Sequence, residues 1–241
     1  SISLLLAVVA LAAGMYFDGL RLQRLVKIGG YKLSIRAVLR VIFSNYFMAM
    51  LTPGASGGAV AQVLVLRSYG VPISKGTPIV LIRTVFSIMF LVIMLPLVFL
   101  RDAIEIPYIS RDMLLIFAVL AVIAALVGTY ILQTKYMRQF VYNLAQRFKA
   151  HNTKDWLSKL ETLNQGLGLL YKQPVQSLIV FIESGLSLLC LYCIAPALMY
   201  AFTPDIPIID ILDRMILLNL ILYFAPTPGG TGIAEGLFVV L

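Results

Sequence analysis

Apolar residues run through this chain in long blocks, with polar residues gathered between them. The stretches 2–17, 84–100, 112–132 and 174–200 are each 16 residues or longer and carry at most one charge. At 1.5 Å per residue, each covers most or all of a hydrocarbon core of about 30 Å. Four spans are predicted. Two further apolar runs are interrupted. The run 41–66 carries Thr52-Pro53-Gly54-Ala55-Ser56-Gly57-Gly58 near its middle, and 215–241 carries Pro226-Thr227-Pro228-Gly229-Gly230-Thr231-Gly232. Proline and glycine in such numbers break a helix. Each break follows 11 apolar or near-apolar residues (41–51 and 215–225), roughly 16 Å of helix and about half a membrane. Thr-Pro-Gly-x-[Ser/Thr]-Gly recurs in both.

The nineteen Lys and Arg orient these segments. If 41–66 dips in and returns, then 18–40, 67–83 and 133–174 share one face and hold sixteen of them. Arg101, Arg111 and Arg214 are left on the other. If 41–66 crosses, the split is nine against ten. Cytoplasmic loops collect positive charge, so the returning path is expected. The hairpin 41–66 is then entered from the cytoplasm, 133–173 is a cytoplasmic basic loop, and the hairpin 215–241 is entered from outside. The segment 18–40 is basic, amphipathic and broken at Gly29-Gly30, as two interfacial helices would be. The expected fold class is an all-α polytopic membrane protein, a single membrane domain over 1–241. Its transmembrane helices are joined by two oppositely inserted re-entrant hairpins, an inverted repeat. The chain begins at Ser1 and stops at Leu241 within an apolar run, as a piece lacking further C-terminal spans would.

Composition removes the soluble classes. Hydrophobic residues make up 61% and charged residues 12%, against about half and a quarter in soluble domains. The net charge of +8 lies between spans, where topology and anionic lipid heads account for it. Nucleic acid is not an expected partner, since no recognition motif is present. Cys190 and Cys193 form a C-x-x-C inside an apolar span, where packing explains them better than a metal or redox site. His151 is the only histidine and cannot alone build a metal centre or a catalytic triad. No metal or cofactor is expected.

The candidate chemistry lies at the two breaks. The helix that follows each turn starts with N–H groups lacking intrahelical partners and with partial positive charge, which suits a phosphate or carboxylate. The candidate head-group residues are therefore Thr52, Pro53, Gly54, Ser56, Gly57 and Gly58 in the first turn, and Thr227, Pro228, Gly229, Gly230, Thr231 and Gly232 in the second. Gln62 is one of few polar residues in the first hairpin. Glu183 is a carboxylate within a span, a functional candidate by default. Glu235, one turn after the glycines, has two readings: partner for a cationic head or a proton, or a charge stabilised at a helix start. Arg67 and Arg83 either meet phosphate or snorkel to the inner interface. Both turns also admit a purely structural reading, in which glycines let helices approach closely.

These motifs, with Gln62 and Glu235, resemble the flippase-like membrane family related to the transmembrane region of lysylphosphatidylglycerol synthase. Pro72-Ile73-Ser74-Lys75 after the first motif is similar too. Ala59-Val60 stand where one branch has Gln-Pro. The resemblance implies a bacterial or archaeal cytoplasmic-membrane protein that handles lipid head groups, without the cytosolic catalytic domain of the synthase branch. The expected function is translocation of a phospholipid or polyprenyl-phosphate-type lipid through a midplane site between the two broken helices. Membrane lipids are the expected partners. Two alternatives stand beside it: a scaffold docking a cytosolic lipid-modifying enzyme through 133–173, and a membrane lipid transferase. The second lacks an acid/base set or a carboxylate cluster for a metal, so an enzyme is not expected.

Overall fold

The computed structural model describes residues 2–53, 56–101, 110–131, 168, 173–202, 207–223 and 225–240. Gly54, residues 102–109 and the expected basic loop at 133–173 (apart from 168 and 173) lie outside the described residues. The helices are α1 (Ile2–Ile28), α2 (Ile35–Leu51), α3 (Ser56–Ser68), α4 (Ile73–Leu100), α5 (Arg111–Ile131), α6 (Pro174–Tyr192), α7 (Ile194–Met199), α8 (Ile208–Leu222) and α9 (Ile233–Val240). Among the described residues there is no strand. An isolated antiparallel bridge joins Pro53 to Pro228.

Ile2–Ile28, Ile73–Leu100 and Pro174–Met199 are long and apolar enough to cross a membrane. Their surroundings invert those of a soluble protein. Ile2, Leu5, Met113, Phe117 and Val175 are more than 60% exposed, while Asp18, Gln62, Arg83, Glu183 and Asp213 are at most 6% exposed. Apolar outside and polar inside is the arrangement a lipid solvent demands.

Four expected boundaries move: α2 starts at Ile35, inside the stretch expected as interfacial helices, α8 starts at Ile208 rather than at 215, and α1 and α4 are both longer than expected. The first helix does not stop at Phe17 but runs on to Ile28, so Asp18 and Arg21 are not interfacial. Asp18 is fully buried and Arg21 nearly so. The stripe Leu22, Leu25 and Val26 carries the buried face onward, and Gly19 lets Val38 of α2 come close. The break at Gly29-Gly30 is where the helix ends. Gly30 takes φ 88°, its N–H donates to Lys27 O, and Tyr31 N–H donates to Val26 O, a glycine C-cap that satisfies orphan carbonyls. Likewise α4 begins at Ile73, not at 84, running through the buried Pro78. Arg83 therefore lies about 15 Å along a helix rather than at the interface.

α2 and α3 fold back on each other. Near the turn Gly58 lies against Asn45 and Ala49. Midway Gln62 Nε2 donates to Asn45 Oδ1 at 2.7 Å. At the open end Arg40 Nη1 donates to Tyr69 Oη at 2.8 Å. A second glycine C-cap, at Gly70 (φ 86°), turns the chain into α4. Gly29, just past α1, lies beside Ile79 of α4, so α1 ends where α4 begins. α8 starts at the opposite end, where Asp213 meets Arg101 at the close of α4. α6 lies antiparallel on α1. Ser187 Oγ donates to Gly14 O at 3.0 Å, and Arg24 pairs with Glu183 at 2.7 Å. One apolar cluster gathers around Leu22, Val41, Leu66 and Val80. A second, around Leu91, Leu95, Leu188 and Ile216, follows it along α4.

Candidate functional site

Between these clusters lies a polar knot. Asp18 of α1 accepts from Arg21 Nε at 2.7 Å, one turn on in the same helix, and from Arg83 Nη2 of α4. Arg83 Nη1 donates to Gln62 Oε1 of α3, and Gln62 in turn donates to Asn45 of α2. Arg21 Nη1 donates to Ser87 Oγ at 2.9 Å. Four helices thus meet through one hydrogen-bonded chain. Isolated buried charges cost several kcal/mol each unless paired and hydrogen-bonded. Asp18 meets that condition by taking both guanidinium groups. Two arginines against one carboxylate leave a positive charge over, and Arg83 Nε is buried without a partner.

The knot forms part of the wall of a cavity of about 470 Å³, within the range of small-ligand pockets. Arg21, Arg83, Gln62, Asn45, Asn219 and Ser87 supply charged, amide and hydroxyl groups to its lining, together with Tyr46, Tyr192 and Tyr223 and with apolar Ile88, Leu188, Leu191 and Leu222. Ser56 and Thr84, both exposed, are also at its wall. Among the described residues no group of three His, Cys, Asp or Glu gathers as metal ligands would.

The two motif turns meet beside this cavity through Pro53 and Pro228. Ser56 and Thr231, at matching places in the two turns, behave alike. Ser56 Oγ donates to Pro53 O at 2.9 Å, and Thr231 Oγ1 donates to Pro228 O at 2.9 Å. The glycines act differently. A Cβ on Gly57 would fall 2.5 Å from Thr52 Cγ2, and one on Gly58 would fall 2.6 Å from Asn45 Oδ1. These two serve close helix approach. Gly229, Gly230 and Gly232 take φ 60°, 74° and 81°, where an L side chain is strained.

Of the residues singled out from sequence, Ser56, Gln62 and Arg83 come to the cavity. Thr52 instead caps α3, its Oγ1 accepting from Gly57 N–H at 2.8 Å and donating to Met48 O at 2.7 Å. Thr227 Oγ1 is buried and unpartnered. Glu183 is held on the α1–α6 seam by Arg24, which also donates to Gln176 Oε1. Glu235 is exposed and accepts from Gly232 N–H at 2.6 Å. Arg67 is exposed at the end of α3, and Gly54 lies outside the described residues. Sequence reasoning missed Asp18, Arg21, Asn45 and Ser87. The signal for the first two was present: Asp-x-x-Arg puts both side chains on one helical face, inside a stripe continued by Leu22 and Leu25. Arg83 was singled out by itself, but nothing in sequence marked it as the partner of Asp18, 65 residues away.

The fold and this interior define an integral membrane protein of apolar helices around a polar, partly charged cavity. The chain belongs to the family described as the lysylphosphatidylglycerol synthase TM region, whose model matches residues 1–241. No curated protein and no solved structure matches it.

Proposed function

We propose that this protein is a flippase-like lipid translocase, moving a phospholipid or polyprenyl-phosphate-type lipid across a bacterial or archaeal cytoplasmic membrane. One observation carries the reading: two helix breaks reached from opposite ends of the bundle meet at Pro53 and Pro228, beside a polar cavity inside an apolar protein. Broken helices that meet at mid-depth are how many transporters build a substrate site. In this reading α2–α3 and α8–α9 are re-entrant hairpins inserted from opposite faces, and the end of α1 faces the cytoplasm. The head group passes through the cavity. At about 470 Å³ the cavity takes a head group rather than whole acyl chains, which stay in the surrounding lipid. No chemical step on the lipid is part of the cycle.

The test is a translocation assay in liposomes with a head-group-accessible fluorescent phospholipid and a membrane-impermeant quencher. Wild-type protein accelerates exchange between leaflets, and Ala59→Phe, which puts a ring into the cavity wall, stops it. Equal exchange with and without protein rejects the reading. Conversion of the lipid to a new species by the purified chain replaces it with the transferase reading.

A further inference from the structure

We infer that the cavity holds an anion site for a singly charged phosphate diester, recognised by Arg83 and Arg21 and tuned by Asp18. The inference rests on the translocase reading only for the source of the ligand. The site stands on its own geometry.

Charge makes the first argument. Asp18, Arg21 and Arg83 are all buried, and the two ion pairs share the single carboxylate. The nearby Glu183 does not supply the missing charge, because Arg24 grips it with Nε and Nη2. Among the described residues, one buried positive charge at the cavity wall therefore lacks a counter-charge. A charge left unpaired away from water is costly, so the cavity favours an occupant carrying one negative charge.

Donor geometry makes the second. Guanidinium forks suit phosphate oxygens, often two at a time. Arg83 spends Nη2 on Asp18 and Nη1 on Gln62, leaving a buried Nε with no acceptor. Ser87 Oγ accepts from Arg21 and donates within its own helix to Arg83 O at 3.1 Å, so it does not answer that need. Asn45 and Asn219 add amides at the same wall. At the two glycine turns, by contrast, Gly57 N–H is already taken by Thr52 and Gly232 N–H by Glu235.

Asp18 then sets the strength of the site. It holds both guanidinium groups in place and cancels one of their charges. Removing its charge should tighten anion binding, the reverse of what a structural role predicts.

The experiment uses the full chain purified in detergent, with binding read by native mass spectrometry. The probes are dihexanoyl phosphatidylglycerol, uncharged dihexanoylglycerol and inorganic phosphate. Wild type should bind the phosphatidylglycerol at least about tenfold more tightly than the uncharged analogue, as charge-assisted phosphate contacts require. Arg83→Gln, which leaves the cluster neutral, should lose that preference. Asp18→Asn, which leaves both guanidinium charges, should bind the phosphatidylglycerol more tightly than wild type does. Equal binding of dihexanoylglycerol by wild type overturns the site whatever the other variants do, and so does an Asp18→Asn chain that folds but binds the phosphatidylglycerol no more tightly than wild type. Binding of inorganic phosphate without the short-chain lipid supports the anion site while removing the translocase reading. Failure of the site, conversely, leaves leaflet exchange to be judged by its own assay.

Discussion

The two glycine turns share a motif and are built by different means. In the first, Thr52 caps α3 through Gly57 N–H, and the helix starts at once, at Ser56. In the second, the equivalent Thr227 hydroxyl has no partner. The N–H of Gly232, placed as Gly57 is, turns to Glu235 instead, and α9 starts only at Ile233. The first turn needs glycine for space; the second needs it for left-handed backbone at 229, 230 and 232, and at Gly230 also for space, since a Cβ there would fall 2.7 Å from Leu222 Cδ2. The same letters thus serve steric fit in one place and conformational freedom in the other, and only the neighbouring helix decides which. α3 lies flat against α2, so a side chain at 57 or 58 would meet Thr52 or Asn45. A Cβ at Gly232 would meet nothing within 4 Å.

The sharpest way to break this comparison is topological. In a background without Cys190 and Cys193, cysteines at Lys32 and Ser68 should label from one membrane face, and a cysteine at Ile209 from the other. Labelling of Lys32→Cys and Ser68→Cys from opposite faces would show that α2–α3 crosses, and the mirrored pair of turns would be lost. Next in size are the glycines of the first turn. Gly58→Val should destabilise by about 3 kcal/mol, the upper range for overpacking, read as a fall in unfolding temperature and loss of leaflet exchange. A variant as stable as wild type would mean that α3 does not lie on α2 as described. Gly232→Ala, where strain acts alone, should cost about 1–2 kcal/mol, clearly less than Gly58→Val.

Smaller still is the threonine contrast. Thr52→Val removes a helix cap and should cost about 1 kcal/mol. Thr227→Val deletes a buried hydroxyl that bonds nothing, so it should be neutral or slightly stabilising. Equal losses at the two positions would erase the asymmetry between the turns. A small effect is also expected of Glu235→Gln, at most about 1 kcal/mol for a charge at a helix start, with leaflet exchange unchanged across pH. Exchange that becomes insensitive to pH would return Glu235 to the transport path.

Much of the fold can be read along the chain. The two breaks sit where the Pro-Gly clusters put them, and the chain does break at Gly29-Gly30, though as the end of α1 rather than between two interfacial helices. α5 keeps within one residue of its expected limits at each end. The site was harder. Arg83 follows Pro72, Gly76 and Pro78, residues that look like a loop, and so reads in sequence as an interfacial charge. Asp18 and Arg21 read the same way because they open a basic stretch. Taking Arg21 and Arg83 out of the sixteen leaves fourteen against three, so the charge asymmetry survives the correction.

What the sequence determined by itself is the one-dimensional part: apolar runs long enough to span, breaks where the backbone cannot continue a helix, and a lopsided distribution of Lys and Arg. Each of these depends on neighbours within a few residues. What only the tertiary structure decided is which charges are interior. Asp18 and Arg83 are 65 residues apart, and no local rule separates a charge that snorkels to water from one that finds its opposite on another helix. In an apolar medium the second outcome requires a partner at hydrogen-bonding distance, and that partner exists only once α1, α3 and α4 have packed.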